Sequence, residues 1–159
     1  MQKERKVIES NAVIVFDRDV NASELNMLTK EFSGDIVILE ELLINENLHV
    51  KNNLHIMRDI VCYSENEINV DGDLQCYSEI GGYNIWVSGC LYCKGTISSD
   101  NINVGESFCC ENRIEAYGGK ITVMGDFECH GVKAKTVTVL GRIAMEGSVF
   151  VRNFIRGGY

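Results

Sequence analysis

The sequence predicts an all-β fold: a single-stranded parallel β-solenoid, or β-helix, of about seven coils. Three observations predict it. A nine-residue pattern returns along the chain, its apolar residues alternate strictly, and turn-forming residues separate one copy from the next. The best copies are Ile68-Asn-Val70-Asp-Gly72-Asp-Leu74-Gln-Cys76 and Ile85-Trp-Val87-Ser-Gly89-Cys-Leu91-Tyr-Cys93. Ile102 to Cys110, Ile121 to Cys129 and Val137 to Met145 follow in the same phase. Two degenerate copies precede them, Leu42 to Val50 and Leu54 to Cys62. From Val50 onward the last positions step by 12, 14, 17, 17, 19 and 16 residues.

Alternation has the period of a strand, so Ile, Val, Leu or Phe, and Cys share one face within each copy. Glycine at the middle position suits a bend or a close approach of backbones. Four residues past the last position an apolar residue often returns (Ile80, Ile97, Ile114, Val149), which predicts a second short strand after a corner. Gly81-Gly82, Ser98 to Asn101 and Gly118-Gly119 supply turns between copies. A single unit cannot cover its own apolar face. Stacked at about 4.8 Å, seven coils bury a continuous stripe and form a rod roughly 30–35 Å long. Variable coil length argues against the regular hexapeptide kind of left-handed helix, leaving a right-handed coil as the expectation.

The elements follow in order within one structural domain. Residues 1–35 form an N-terminal strand plus a capping helix. Ala12 to Phe16 reads as the strand. Asn21-Ala-Ser-Glu24 has the spacing of a capping box, with Leu25, Leu28 and Phe32 at helical spacing behind it, so residues 22–33 are expected as a short amphipathic helix over the first coil. Residues 36–151 form the solenoid and 152–159 a C-terminal tail. Val149, Val151, Phe154 and Ile155 stay apolar toward that tail, which closes the rod or meets another molecule.

Composition bounds the function. Hydrophobic residues are 45% of the chain and charged residues 24%, a globular balance. No stretch reaches the 18 or so apolar residues of a membrane span, and Met1 to Lys6 with the residues behind it is too polar for a signal peptide. An odd count of seven cysteines fits a reducing compartment, so the expected location is cytoplasmic. A net charge of −8 repels nucleic acid and anionic membrane, and neither is expected as a partner. Residues 36–129 carry 15 acids against 5 bases, whereas residues 130–159 carry one acid against 5 bases. That asymmetry fits a solvated surface, a basic protein partner, or attraction between copies, with monomer or dimer expected over filament.

Cys62, Cys76, Cys93, Cys110 and Cys129 share one phase and are expected as an inner core ladder, packed as small hydrophobes. Cys90-Leu-Tyr-Cys93 has the spacing of a metal pair, but Cys90 alternates outward while Cys93 points inward, and no second pair occurs. Cys90 and Cys109 are the more reactive thiols on this phase, with no cation nearby to lower their pKa. His49, His55 and His130 fall at unrelated outer positions. No spacing supports a Ser–His–Asp set or a phosphate-cradling glycine loop. No catalytic residue, metal or cofactor is assigned. For partner binding the candidate set is Trp86, Tyr92, Asp71, Asp73 and Glu128, with Tyr63 and Tyr77 near or on outer faces. Trp86 is level with Asn69 and Asn103, and the N-terminal segment is the alternative cover for these aromatics.

At Val70-Asp-Gly72-Asp73-Leu74 and Val123-Met-Gly125-Asp126-Phe127 the chain resembles the bactofilin type of polymer-forming bacterial β-helix protein, over roughly residues 42–151. The resemblance implies a cytoplasmic scaffold assembling end to end without nucleotide. The capping helix, the irregular coils and the cysteine ladder depart from that pattern. The first functional reading is a non-catalytic binding module, in one version an immunity protein for a basic toxin such as a nuclease. A self-assembling scaffold is the second, and an acyltransferase or lyase on the solenoid the third.

Overall fold

The computed structural model describes residues 12–157, with the side chain of Tyr117 left out. The expectations for the first eleven residues lie outside the described residues.

The chain winds as a three-sided parallel β-solenoid. An opening turn consists of β1 (Val13–Phe16), β2 (Val20–Asn21) and α1 (Ala22–Leu28). Next come β3 (Asp35–Ile38), β4 (Leu42–Ile44) and β5 (Leu48–Val50), then β6 (Leu54–Ile56), β7 (Ile60–Cys62) and β8 (Glu67–Val70). The following two turns are β9 (Leu74–Cys76), β10 (Ile80–Gly81), β11 (Asn84–Val87), and β12 (Leu91–Cys93), β13 (Ile97–Ser98), β14 (Asn101–Val104). In β15 (Phe108–Val123) and β16 (Phe127–Val139) one continuous strand bends around all three sides. β17 (Ile143–Met145) and β18 (Val149–Arg156) make the last turn. Seven complete turns therefore follow the opening one.

Every strand pairs in parallel with its equivalent one turn away. Face 1 stacks β1, β3, β6, β9, β12, the starts of β15 and β16, and β17. Face 2 stacks β2, β4, β7, β10, β13, the middles of β15 and β16, and the start of β18. Face 3 stacks β5, β8, β11, β14 and the last segments of β15, β16 and β18, with α1 in the place of a first strand.

The nine-residue pattern therefore spans a corner: Ile68 and Val70 belong to face 3, Leu74 and Cys76 to face 1. Each coil has three strands, one more than alternation alone revealed. Glycine sits at the corner because successive turns touch there. A Cβ on Gly89 would lie 2.2 Å from Asp73 Oδ1 and 2.8 Å from the Gly72 carbonyl oxygen. Inside, one core runs the length of the rod, with Phe108 and Phe127 stacked in adjacent turns at 5.2 Å between ring centroids.

Three expectations change. The two early copies were read one face out of phase: Cys62 pairs with Ile44 on face 2, not with Cys76, and Val50 pairs with Val70 on face 3. The cysteine ladder is thus Cys76, Cys93, Cys110 and Cys129, preceded by Ile56 and followed by Met145. The solenoid also reaches further than 36–151, because β1 and β2 are already paired into it and β18 carries face 3 to Arg156. The helix is shorter than expected. It ends at Leu28, with Thr29 as C-cap and turns beyond, while Leu25 and Phe32 are buried as their spacing required.

At its start the capping box is complete: the Asn21 side chain accepts from Glu24 N at 2.9 Å, and Glu24 accepts from Asn21 N at 3.2 Å. α1 packs on β2, β4 and β5. There the Asn26 carboxamide does the work of an absent strand. It donates to the Asn47 carbonyl at 2.7 Å and accepts from His49 N at 3.0 Å. The edge of β5 would otherwise carry those groups unpaired.

Candidate functional site

The five residues singled out for partner binding divide between two sides of the prism. Trp86 is on face 3 between Asn69 and Asn103, as expected, and is 47% exposed. α1 covers only the first turns and does not lie over it. Asp71, at the end of face 3, accepts from His49 Nε2 at 3.0 Å. Tyr92 and Glu128 stand on face 1, in one outward column that runs Gln75, Tyr92, Cys109, Glu128, Ala144. Asp73 holds the corner between the two sides, where its carboxylate accepts from Cys90 N at 2.8 Å.

Face 1 is the side where chemistry gathers. Tyr92 donates its hydroxyl to Glu111 at 2.5 Å and packs on Tyr77, their ring centroids 5.5 Å apart. The Glu111 carboxylate beside it pushes the Tyr92 hydroxyl up to about 12. Cys109 Sγ donates to Glu128 at 3.6 Å, and Cys90 Sγ donates to Glu106 at 3.5 Å. Burial, followed by the charge of Glu128, pushes the Cys109 thiol up to about 11. A shallow groove toward the last turn is lined by Cys109, Glu111, Glu128, His130, Ala144 and Glu146. His130 and Glu146 make a loose pair at 3.8 Å. Among the described residues no lysine or arginine pairs with Glu106, Glu111 or Glu128, although Lys94 lies in the neighbouring column.

Sequence reasoning found Tyr92 and Glu128 here but missed Glu106, Glu111 and Glu146. The signal was present: Tyr77, Lys94, Glu111, His130 and Glu146 each directly follow the last position of a copy. They form the column beside Tyr92 and Glu128, whereas Glu106 stands apart from it, at the middle position of the Ile102 to Cys110 copy.

The two outward cysteines are half-buried, and each stands against a carboxylate, which disfavours a thiolate. Asp73, Cys90 and Glu106 bring three potential ligand atoms within 4.8 Å of one another. The Cys90 backbone and thiol hydrogen bonds to the two acids account for that clustering. The inner thiols have a different role. Cys76, Cys93 and Cys110 donate to the carbonyls of Arg58, Ser78 and Gly95, each at 3.3 Å and each at the equivalent corner of the preceding turn. A thiol fills the tight corner and also gives that carbonyl a weak donor, which alanine or valine cannot. The neighbouring Cys110 and Cys76 thiols, then burial, hold Cys93 protonated. Burial pushes Cys129 up to about 12.

No helix among the described residues is long and apolar enough to cross a membrane. No family model, curated protein or solved structure matches the chain.

Proposed function

We propose that the chain is a non-catalytic binding module, cytoplasmic and of the immunity-protein kind, whose face 1 takes the basic surface of another protein. The observation that carries this reading is the pair Glu111 and Glu128 on adjacent rungs, with Tyr92 and Tyr77 beside Glu111 and with Glu106 at the neighbouring corner by Cys90, none of the three having a lysine or arginine partner among the described residues. Like charges stacked on adjacent parallel strands repel one another, and a cationic partner relieves that repulsion. Tyrosines supply the amphipathic contact area that interfaces favour.

The test is co-purification of the chain with the basic proteins encoded beside it, followed by calorimetry of any complex. A Glu111→Lys/Glu128→Lys double variant is expected to weaken binding at least tenfold with its circular dichroism unchanged. Absence of any complex, or a complex indifferent to the double variant, sinks the reading.

A further inference from the structure

By register, Ile143, Met145, Val149, Val151 and Phe154 continue the inward columns of Phe127, Cys129, Val132, Ala134 and Val137. Those five partners are buried, but in the last turn Val149 is 42% and Phe154 41% exposed, and the other three are half-buried. These side chains face inward, and among the described residues no turn lies over them. β17 and β18 pair on one side only, with β16, so their outer edges carry unpaired N–H and C=O groups among the described residues. Exposed apolar side chains beside a free strand edge form a template for another chain.

We propose that this open end docks on the same end of a second copy, placing two solenoids end to end in a closed two-fold dimer. The opposite end of the molecule decides the partner. There β1 and β2 also pair on one side only among the described residues, but α1 occupies face 3 beside them, and Asn26 already satisfies the edge of β5. A helix is about 10 Å across, while one rung of a β-solenoid advances about 4.8 Å. A strand of another copy therefore cannot approach faces 1 and 2 at rung spacing while α1 stands on face 3. One stopped end and one open end give a two-fold contact that closes on itself, not the repeating head-to-tail contact that builds filaments. The size also fits: the last turn from Gly141 to Gly157 offers 17 residues, near the roughly 20–30 per side of a specific interface. This inference goes beyond the face 1 reading and shares no residue with Glu106, Glu111 or Glu128, so either fails without the other.

The charge pattern gives the dimer a distinctive sign. Arg152 and Arg156 have no ion-pair partner among the described residues, and a two-fold contact brings both sets together. Salt screens that repulsion, so dimerisation tightens as salt rises, whereas a contact between the basic end and the acidic opposite end weakens.

Light scattering and small-angle X-ray scattering across protein and salt concentration test the proposal. The expected result is a mass moving from 17.8 kDa to twice that value, with a higher dimer fraction in about 0.5 M than in 0.05 M salt. The rod should roughly double in length. Val149→Asp and Phe154→Asp should each hold the chain monomeric with unchanged circular dichroism, and Met27→Lys on α1 should leave the dimer intact. Should either aspartate variant disturb the fold, Arg152→Gln/Arg156→Gln serves instead: with the facing charges removed, its dimer should form more readily at low salt and lose most of its salt dependence. A monomer at every concentration overturns the proposal. So do assemblies that grow past two, dissolve in salt and are lost in Met27→Lys.

Discussion

Cys93 and Cys109 show how one residue type does opposite jobs on the two sides of a strand. Cys93 is fully buried, and its thiol donates to a corner carbonyl. Cys93→Asp places an unpaired charge among apolar neighbours and should cost more than about 4 kcal/mol, read as loss of the folded state by circular dichroism. A soluble, folded aspartate variant would contradict the inward register. Cys109 faces out against Glu128. Its pKa of about 11 leaves a thiolate fraction at pH 8 of roughly one in a thousand, against about one in four for an ordinary thiol near 8.5. Alkylation by iodoacetamide at pH 8 should therefore be slow and should climb up to about pH 11. Glu128→Gln removes the carboxylate that opposes the thiolate, lowers the pKa and should speed the reaction several-fold at pH 8. An unchanged rate would mean that burial alone sets the shift, burial being its largest cause.

The helix α1 and the corner turns belong to the next scale. Asn26→Ala leaves a backbone donor and acceptor of β5 without partners and should cost about 1–3 kcal/mol in a denaturant titration. Asn21→Ala, which removes one half of the capping box, should cost about 1 kcal/mol. Equal losses at the two positions would show that Asn26 adds nothing beyond an ordinary cap. At the corner before the last segment of β15, a Cβ on Gly119 would overlap the Asp100 carbonyl oxygen of the preceding turn, so Gly119→Ala forces adjacent rungs apart. Here sequence patterns served unevenly. The capping box was legible because its spacing is local, and the later copies because their corner lengths are nearly constant. Cys62 was misplaced because all three faces share the same alternation, so alternation cannot say which face a strand joins. That assignment needs the pairing of Leu42 with Ile60 and of Leu48 with Ile68, which only the fold supplies. Face 1 was half legible for the same reason. Tyr92 and Glu128 fall at outward strand positions of the repeat, whereas Glu106 stands at the bend in the middle of a copy and Glu111 and Glu146 just past its end, corners whose direction the pattern leaves open.

At the scale of the whole molecule, each turn touches only its neighbours, so the rod behaves as a one-dimensional stack. Cys93 and Cys110 are equivalent positions 17 residues apart. Deleting residues 94–110 removes one complete turn and joins equivalent corners. The shortened chain should fold, lose about 4.8 Å of length in X-ray scattering and melt at a lower temperature, since it buries one turn fewer. A chain that fails to fold would show that the core depends on contacts beyond adjacent turns.

The free edge of β18 also sets how the molecule responds to mechanical load. Pulled by its two ends, the rod presents a rung bound on a single side at each end among the described residues: β17 and β18 stand alone at the C-terminal end, whereas β1 and β2 at the other are braced by α1. Force applied along the last strand shears or peels it from β16 without disturbing the rungs beneath, and each departure exposes a new edge in the same position. Extension should then proceed in steps of one turn from the C-terminal end, a sawtooth read directly in a pulling trace.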